Sequence, residues 1–141
     1  MPYTKTVWVN GGAPPISAAN LNNLETQYDE AVAQIPIFTE LTGTYTEKSI
    51  TNFDVWEDWD ISGIVPVGTI YAEVMVTHIS AATRYAGVRK NGSALERKYY
   101  CQGYFCFTTM VAVDANRIIE IFSSTENNNF YYAIKGYWKP A

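Results

Sequence analysis

The apolar spacing of this chain changes once, at Pro36, and nothing else in the sequence constrains its fold as much. Before that point Leu21, Leu24, Tyr28, Ala31 and Ile35 are separated by 3, 4, 3 and 4 residues. This is the repeat of a helix with a single apolar seam. Pro36 ends that helix at or before Ile35, because its ring removes an N–H and disfavours helical geometry in the preceding residue. Beyond about residue 40, helical spacing vanishes and Thr, Tyr, Val and Ile dominate. That part of the chain reads as sheet.

Several residues define the helix start. Ser17 is placed to accept from the backbone N–H of Ala19 or Asn20, and Ile16 to staple onto Leu21. Asn22, Asn23, Glu25, Thr26, Gln27, Asp29, Glu30 and Gln34 make the other faces polar. Two readings of the seam stay open: it packs on its own domain, or it meets copies of itself as a coiled coil. Two heptads are marginal alone, and no Lys or Arg lies between Lys5 and Lys48 to form flanking charge pairs. Self-association therefore needs a larger downstream part to hold it. Residues 1–16 read as an extended arm with apolar anchors Tyr3, Val7, Trp8 and Val9, stiffened by Pro14 and Pro15.

Thr39 to Thr46 reads as a connector into the first strand. Strands are predicted over Phe53–Ile61, Thr69–Ile79 and Arg84–Lys90, with Asn91-Gly92 as a type I′ hairpin turn. Lys98–Val113 holds two strands, Arg117–Ser123 another and Phe130–Lys139 the last. Turns are expected at 114–116 and 127–129, and Phe130, Tyr132, Ile134, Gly136 and Trp138 are expected on one face. About eight short strands with regular turn signals predict an antiparallel β-sandwich or jelly roll. The domain division is 1–39, arm and helix, then 40–141, the β-domain.

Composition excludes some functions. Hydrophobic residues reach 48%, enough for a core, while charged residues are only 17%, below the roughly 25% of ordinary soluble domains. Eleven tyrosines on a lightly charged chain suit half-buried strands or surface hidden in an oligomer. A net charge of −4 argues against nucleic acid and against anionic membranes. The longest run without charge, Tyr99 to Val113, is too short to span a bilayer and contains Gln102, Gly103, Thr108 and Thr109. The N-terminus does not read as a signal peptide, which predicts synthesis in a cytoplasm. Cys101 and Cys106, if on one strand, point to opposite faces and read as two buried thiols. With one His they cannot complete a zinc site.

Chemistry has few places to sit. Phe53 to Asp60 gathers four acids and two tryptophans. Trp56 and Trp59, with Asp58 and Asp60, fit glycan binding, indole faces against sugar rings and carboxylates on hydroxyls. Asp58, Asp60, Ser62 and Gly63 resemble the opening of a calcium loop, but Thr69 replaces its closing Glu. A carboxylate pair among Asp54 to Asp60 would suit glycoside cleavage. Against all three stands a plain strand, with Val55, Glu57 and Trp59 on one face and Trp56, Asp58 and Asp60 on the other. His78 reads as a satisfied strand-end histidine. No nucleophile elbow or phosphate-binding glycine loop occurs. Asn91-Gly92-Ser93 is a sequon that matters only in a secretory pathway. No catalytic residue, metal or cofactor is expected.

The segments Trp8-Val9-Asn10-Gly11 and Pro15-Ile16-Ser17-Ala18-Ala19-Asn20-Leu21-Asn22-Asn23-Leu24-Glu25 resemble a segment of tailed-bacteriophage and prophage virion proteins. Asp60-Ile61-Ser62-Gly63-Ile64-Val65-Pro66-Val67-Gly68-Thr69 is similar to a strand junction in their C-terminal β-domains, and Gly136-Tyr137-Trp138 to their last strand. The resemblance implies a virion appendage: a tail fibre, baseplate or head-fibre protein, commonly a homotrimer. It implies attachment to other virion proteins through an N-terminal part, here Trp8, Asn10, Gly11 and Pro15, and a β-domain facing a host receptor. The chain has no long shaft, so a capsid-decorating protein with a stabilising role is the alternative. A small carboxylate-based glycan depolymerase is the reading from the enzyme class. The expected trimer seam is Leu21, Leu24, Tyr28, Ala31 and Ile35.

Overall fold

The structure, a computed structural model, describes residues 18–42, 47–124 and 129–141. Trp8, Asn10, Gly11, Pro15, Ile16 and Ser17, and the turn residues Asn127 and Asn128, lie outside the described residues. One helix, α1 (Ala18–Val32), is followed by nine strands: β1 (Pro36–Glu40), β2 (Lys48–Ser49), β3 (Trp56–Asp60), β4 (Tyr71–His78), β5 (Arg84–Lys90), β6 (Lys98–Cys101), β7 (Phe105–Ala112), β8 (Ile118–Ser123) and β9 (Phe130–Pro140). The described residues up to Ile35, from 18 on, fall in a different unit from Pro36–Pro140.

The strands build two antiparallel sheets, β1-β9-β4-β7 with β2 also on β9, and β3-β8-β5-β6. The pairs are nested in sequence: β1 and β2 with β9, β3 with β8, β4 with β7, β5 with β6. Such nesting is a long two-stranded ribbon. The β4–β9 and β5–β8 pairings roll that ribbon upon itself. The result is a jelly roll, the expected class. Its core lies between the sheets, where Ala72, Val74, Val76, Val88, Ile119, Ile121 and Phe130 are buried. The hydroxyl of Tyr132, on one sheet, donates to the Phe122 carbonyl on the other at 2.5 Å.

The jelly roll has two unlike ends. At the near end the chain enters at Pro36 beside Pro140, and the β3–β4, β5–β6 and β7–β8 connections gather there. Side chains tie those connections together. Arg117 Nη1 donates to the carbonyls of Ser62 (2.8 Å) and Val65 (3.2 Å). Asp114 accepts from Asn91 Nδ2 (2.9 Å) and from the Ile118 N–H (2.7 Å). The far end, where His78 faces Phe130, gathers the β2–β3, β4–β5, β6–β7 and β8–β9 connections.

Several expectations need correction. The helix stops at Val32, leaving Ile35 in a turn: Gln34 and Ile35 donate three residues back, to Ala31 and Val32. Pro36 imposes this, since the last turn tightens where the helix cannot continue. The sandwich begins at Pro36, so residues 36–39 belong to its edge strand and Thr39-Glu40 is not a connector. Asn91-Gly92 is not a two-residue I′ hairpin. Gly92 alone has positive φ (70°), and β6 begins only at Lys98. In β9 the shared face is broken. Glu73 pairs with Gly136 but Val74 with Ile134, so Lys135 is the extra residue of a bulge. Phe130, Tyr132 and Ile134 face the core, whereas Gly136 and Trp138 face outward and Tyr137 turns in.

Candidate functional site

Each expected site residue has a definite place. Leu21, Leu24 and Tyr28 are 50%, 43% and 69% exposed on α1, and Ile35, in the turn, is exposed too. Ala31 is also exposed. A shallow hollow between Leu24, Glu25, Tyr28 and Asp29 lies along the same face.

The tryptophans do not come together. Alternation along β3 sends Trp59 inward, where it is 5% exposed, and Trp56 outward. Trp56 offers no free face on its outer side: the Arg89 guanidinium carbon lies 4.0 Å from its ring centroid. Its Nε1 donates to Glu96 Oε1 (3.2 Å), and Phe122 packs beside it at 5.4 Å between centroids. Arg89 also pairs with Glu120, whose other oxygen accepts from the Gly92 N–H at 3.2 Å. Lys98 reaches Glu96 Oε2 at 2.7 Å and lies over Phe122. The Lys98 contact, helped by Trp56 and Arg89, holds the Glu96 carboxyl below its usual range. This outer face is a closed network that fastens the β5–β6 connection to the sheet.

The acids of the 54–60 stretch are divided as well. Burial raises the Glu57 pKa, but Lys48 (2.8 Å) and the Asn52 and Thr51 N–H groups outweigh that, and the net shift is downward. Glu57 thereby ties β2 in one sheet to β3 in the other. Asp58 is exposed. Asp60 accepts from the Ser62 N–H at 2.8 Å, and Ser62 lowers its pKa. Thr69 is buried, with its hydroxyl on the Pro66 carbonyl (2.8 Å), so it does not close a calcium loop. Among the described residues no group of three His, Cys, Asp or Glu side chains could hold a metal ion. No described helix is long and apolar enough to cross a membrane.

The cysteines occupy different strands, β6 and β7. Cys101 is buried and burial raises its pKa, whereas Cys106 is exposed, unlike the expected pair of buried thiols. His78 is buried and stacked on Phe130 at 4.5 Å. Its Nδ1 bonds the Gly103 carbonyl at 2.6 Å, but Nε2 has no partner, so it is only half satisfied. Arg84 Nε, also at the far end, is buried and unpartnered.

Sequence reasoning missed the far-end aromatics Tyr85, Tyr100, Tyr104 and Phe105, all exposed. For Tyr100, Tyr104 and Phe105 the signal was the charge-free run from Tyr99, with four aromatics within seven residues. A loop rim and a buried strand share that composition, so the run alone did not distinguish them.

No protein-family model and no curated protein sequence matches the chain. Among solved structures, it is similar to the coat protein of Tobacco streak virus, solved as a dimer, at 11% identity and a TM-score of 0.40, over 75% of this chain and 86% of that one.

Proposed function

We propose that this chain is a non-enzymatic structural protein of a bacteriophage virion. In this reading it is a homotrimeric short appendage, attached through residues 1–16 and presenting its jelly roll to a host surface glycan. The supporting observation is the exposed row Leu21, Leu24 and Tyr28 on a helix whose remaining faces are polar. Apolar side chains in heptad spacing are desolvated when identical helices meet around an axis. At about 22 Å the helix is too short to hold such a bundle alone, so contacts between the β-domains must supplement it. The resemblance of residues 8–25 to virion proteins gives the arm its role. The jelly roll suits the reading by analogy, since viral capsid and lectin domains use it.

The test has two parts. Light scattering on the full chain should return three times its 15.9 kDa mass. A labelled chain should be seen on phage particles by electron microscopy, and one lacking residues 1–16 should stay trimeric but be absent from them. A stable monomer at micromolar concentration, or a truncated chain that unfolds, overturns the reading.

A further inference from the structure

We propose that the outer face of the β1-β9-β4-β7 sheet is where the β-domains of neighbouring copies meet. The proposal rests on the trimer reading above and names the surface that supplements the helix seam.

Strand alternation places this surface. Tyr71 and Met75 on β4 alternate with the buried Ala72, Val74 and Val76, so they point away from the core. Phe38, Trp138 and Tyr71 are cross-strand partners in one row over β1, β9 and β4. Met110 on β7 lies across from Glu73, on the same face. Phe38, Tyr71 and Met110 are 42%, 39% and 52% exposed. The other sheet treats its outer face differently. There Arg89 covers Trp56 and pairs with Glu120, and Lys98 lies over Phe122 and pairs with Glu96. One outer face is closed by its own ion pairs, and the other leaves aromatic and thioether side chains in water. Contiguous exposed apolar side chains of this kind mark contact surfaces.

The edge of the same sheet points to what covers it. Among the described residues β7 pairs with β4 alone. Its eight residues, Phe105–Ala112, include no charge and no proline. The other edge strands carry protection against a neighbouring chain: Pro36 and Glu40 on β1, Lys48 on β2, three acids on β3 and Lys98 on β6. A bare edge beside an apolar face fits a permanent neighbour. Two arguments make that neighbour a second copy. Pro36 follows Ile35 directly, and β1 starts there. Helices that meet at the seam thereby hold their β-domains at the high effective concentration of a short tether. Four strands about 4.8 Å apart and about 25 Å long also give a face of about 500 Å². That is short of the roughly 800 Å² per partner of a lasting interface, so the face needs the seam as the seam needs the face. Glu40 and Glu73 flank Gly136 in the next row and would repel their own counterparts. The contact therefore joins unlike parts of the face, as a ring of three does.

The experiment treats the full chain with dilute hydrogen peroxide and follows Met110 sulfoxide by mass spectrometry. It compares the assembled chain with chain dispersed by dilution or by Leu24→Glu. Met110 should react several-fold more slowly in the assembled chain. Met110→Lys should raise the dissociation constant about ten-fold or more. Asp58→Asn makes the same change of charge on the other sheet's outer face and should leave that constant unchanged. Circular dichroism checks each variant's fold, and the wild-type oxidation rates need no variant of the β-domain. A trimer whose Met110 reacts at the dispersed chain's rate, or undiminished assembly of Met110→Lys, overturns the proposal and leaves the face to another virion protein, with the trimer reading intact. A wild-type chain that stays monomeric at every concentration overturns both.

Discussion

Gly136 has no side chain because Phe38 occupies the place of one. A Cβ there would lie 2.4 Å from the Phe38 ring and 2.8 Å from the Thr39 carbonyl. The Phe38 ring in turn packs on Trp138, 4.5 Å between centroids. Gly136→Ala must push β1 off β9, and overpacking of this kind costs about 1–3 kcal/mol. Urea denaturation should show the loss. Glu57 makes a prediction of a different sort. Its folded pKa is below the ordinary 4.5, so it holds its proton less tightly when folded. The stability it adds is complete above about pH 4.5 and lost as pH falls through the lower folded value. The urea midpoint should therefore drop on acidification, and Glu57→Gln should shrink that drop. An equal drop in both proteins would remove Glu57 from the account. Tyr132 adds nothing to this acid dependence, since burial raises its phenol pKa far above the range.

At the scale of elements, α1 and β9 show how neighbours decide what spacing begins. The seam of α1 follows from where Leu21, Leu24 and Tyr28 fall on a helical turn, and those residues do share it. Its end was decided by Pro36, which placed Ile35 in the turn. If the seam joins copies, Leu24→Glu should break the oligomer in light scattering. The β-domain's melting temperature should then move only as far as lost association allows. An unchanged mass would take the seam out of the interface. In β9, alternation holds from Phe130 to Ile134 and fails at Lys135, because the partner strand there passes one residue fewer. Nothing in Ile134-Lys135-Gly136 announces that on its own. β5 shows the opposite case: Arg84–Lys90 begins and ends as its sequence predicts.

Over the whole molecule, the two ends of the jelly roll are built differently. The near end receives the chain from the helix and is cross-tied by Arg117 and Asp114. The far end carries exposed aromatic rings and two buried polar atoms without partners. Arg117→Ala removes two bonds to the β3–β4 connection and should lower stability by about 1–3 kcal/mol in urea.

Composition and period were sufficient for the class of fold: a helix ahead of Pro36, then strands whose alternation and turn residues leave little but an antiparallel sandwich. These are local properties, written in the order of residues along the chain. The partition of Trp56 and Trp59 to opposite faces was also legible, since a strand alternates whatever surrounds it. The cover of Arg89 over Trp56, the bulge at Lys135, the ring of Phe38 over Gly136 and the stacking of His78 on Phe130 were not. Each depends on strands distant in sequence being brought side by side, and only the rolled ribbon determines which strands those are.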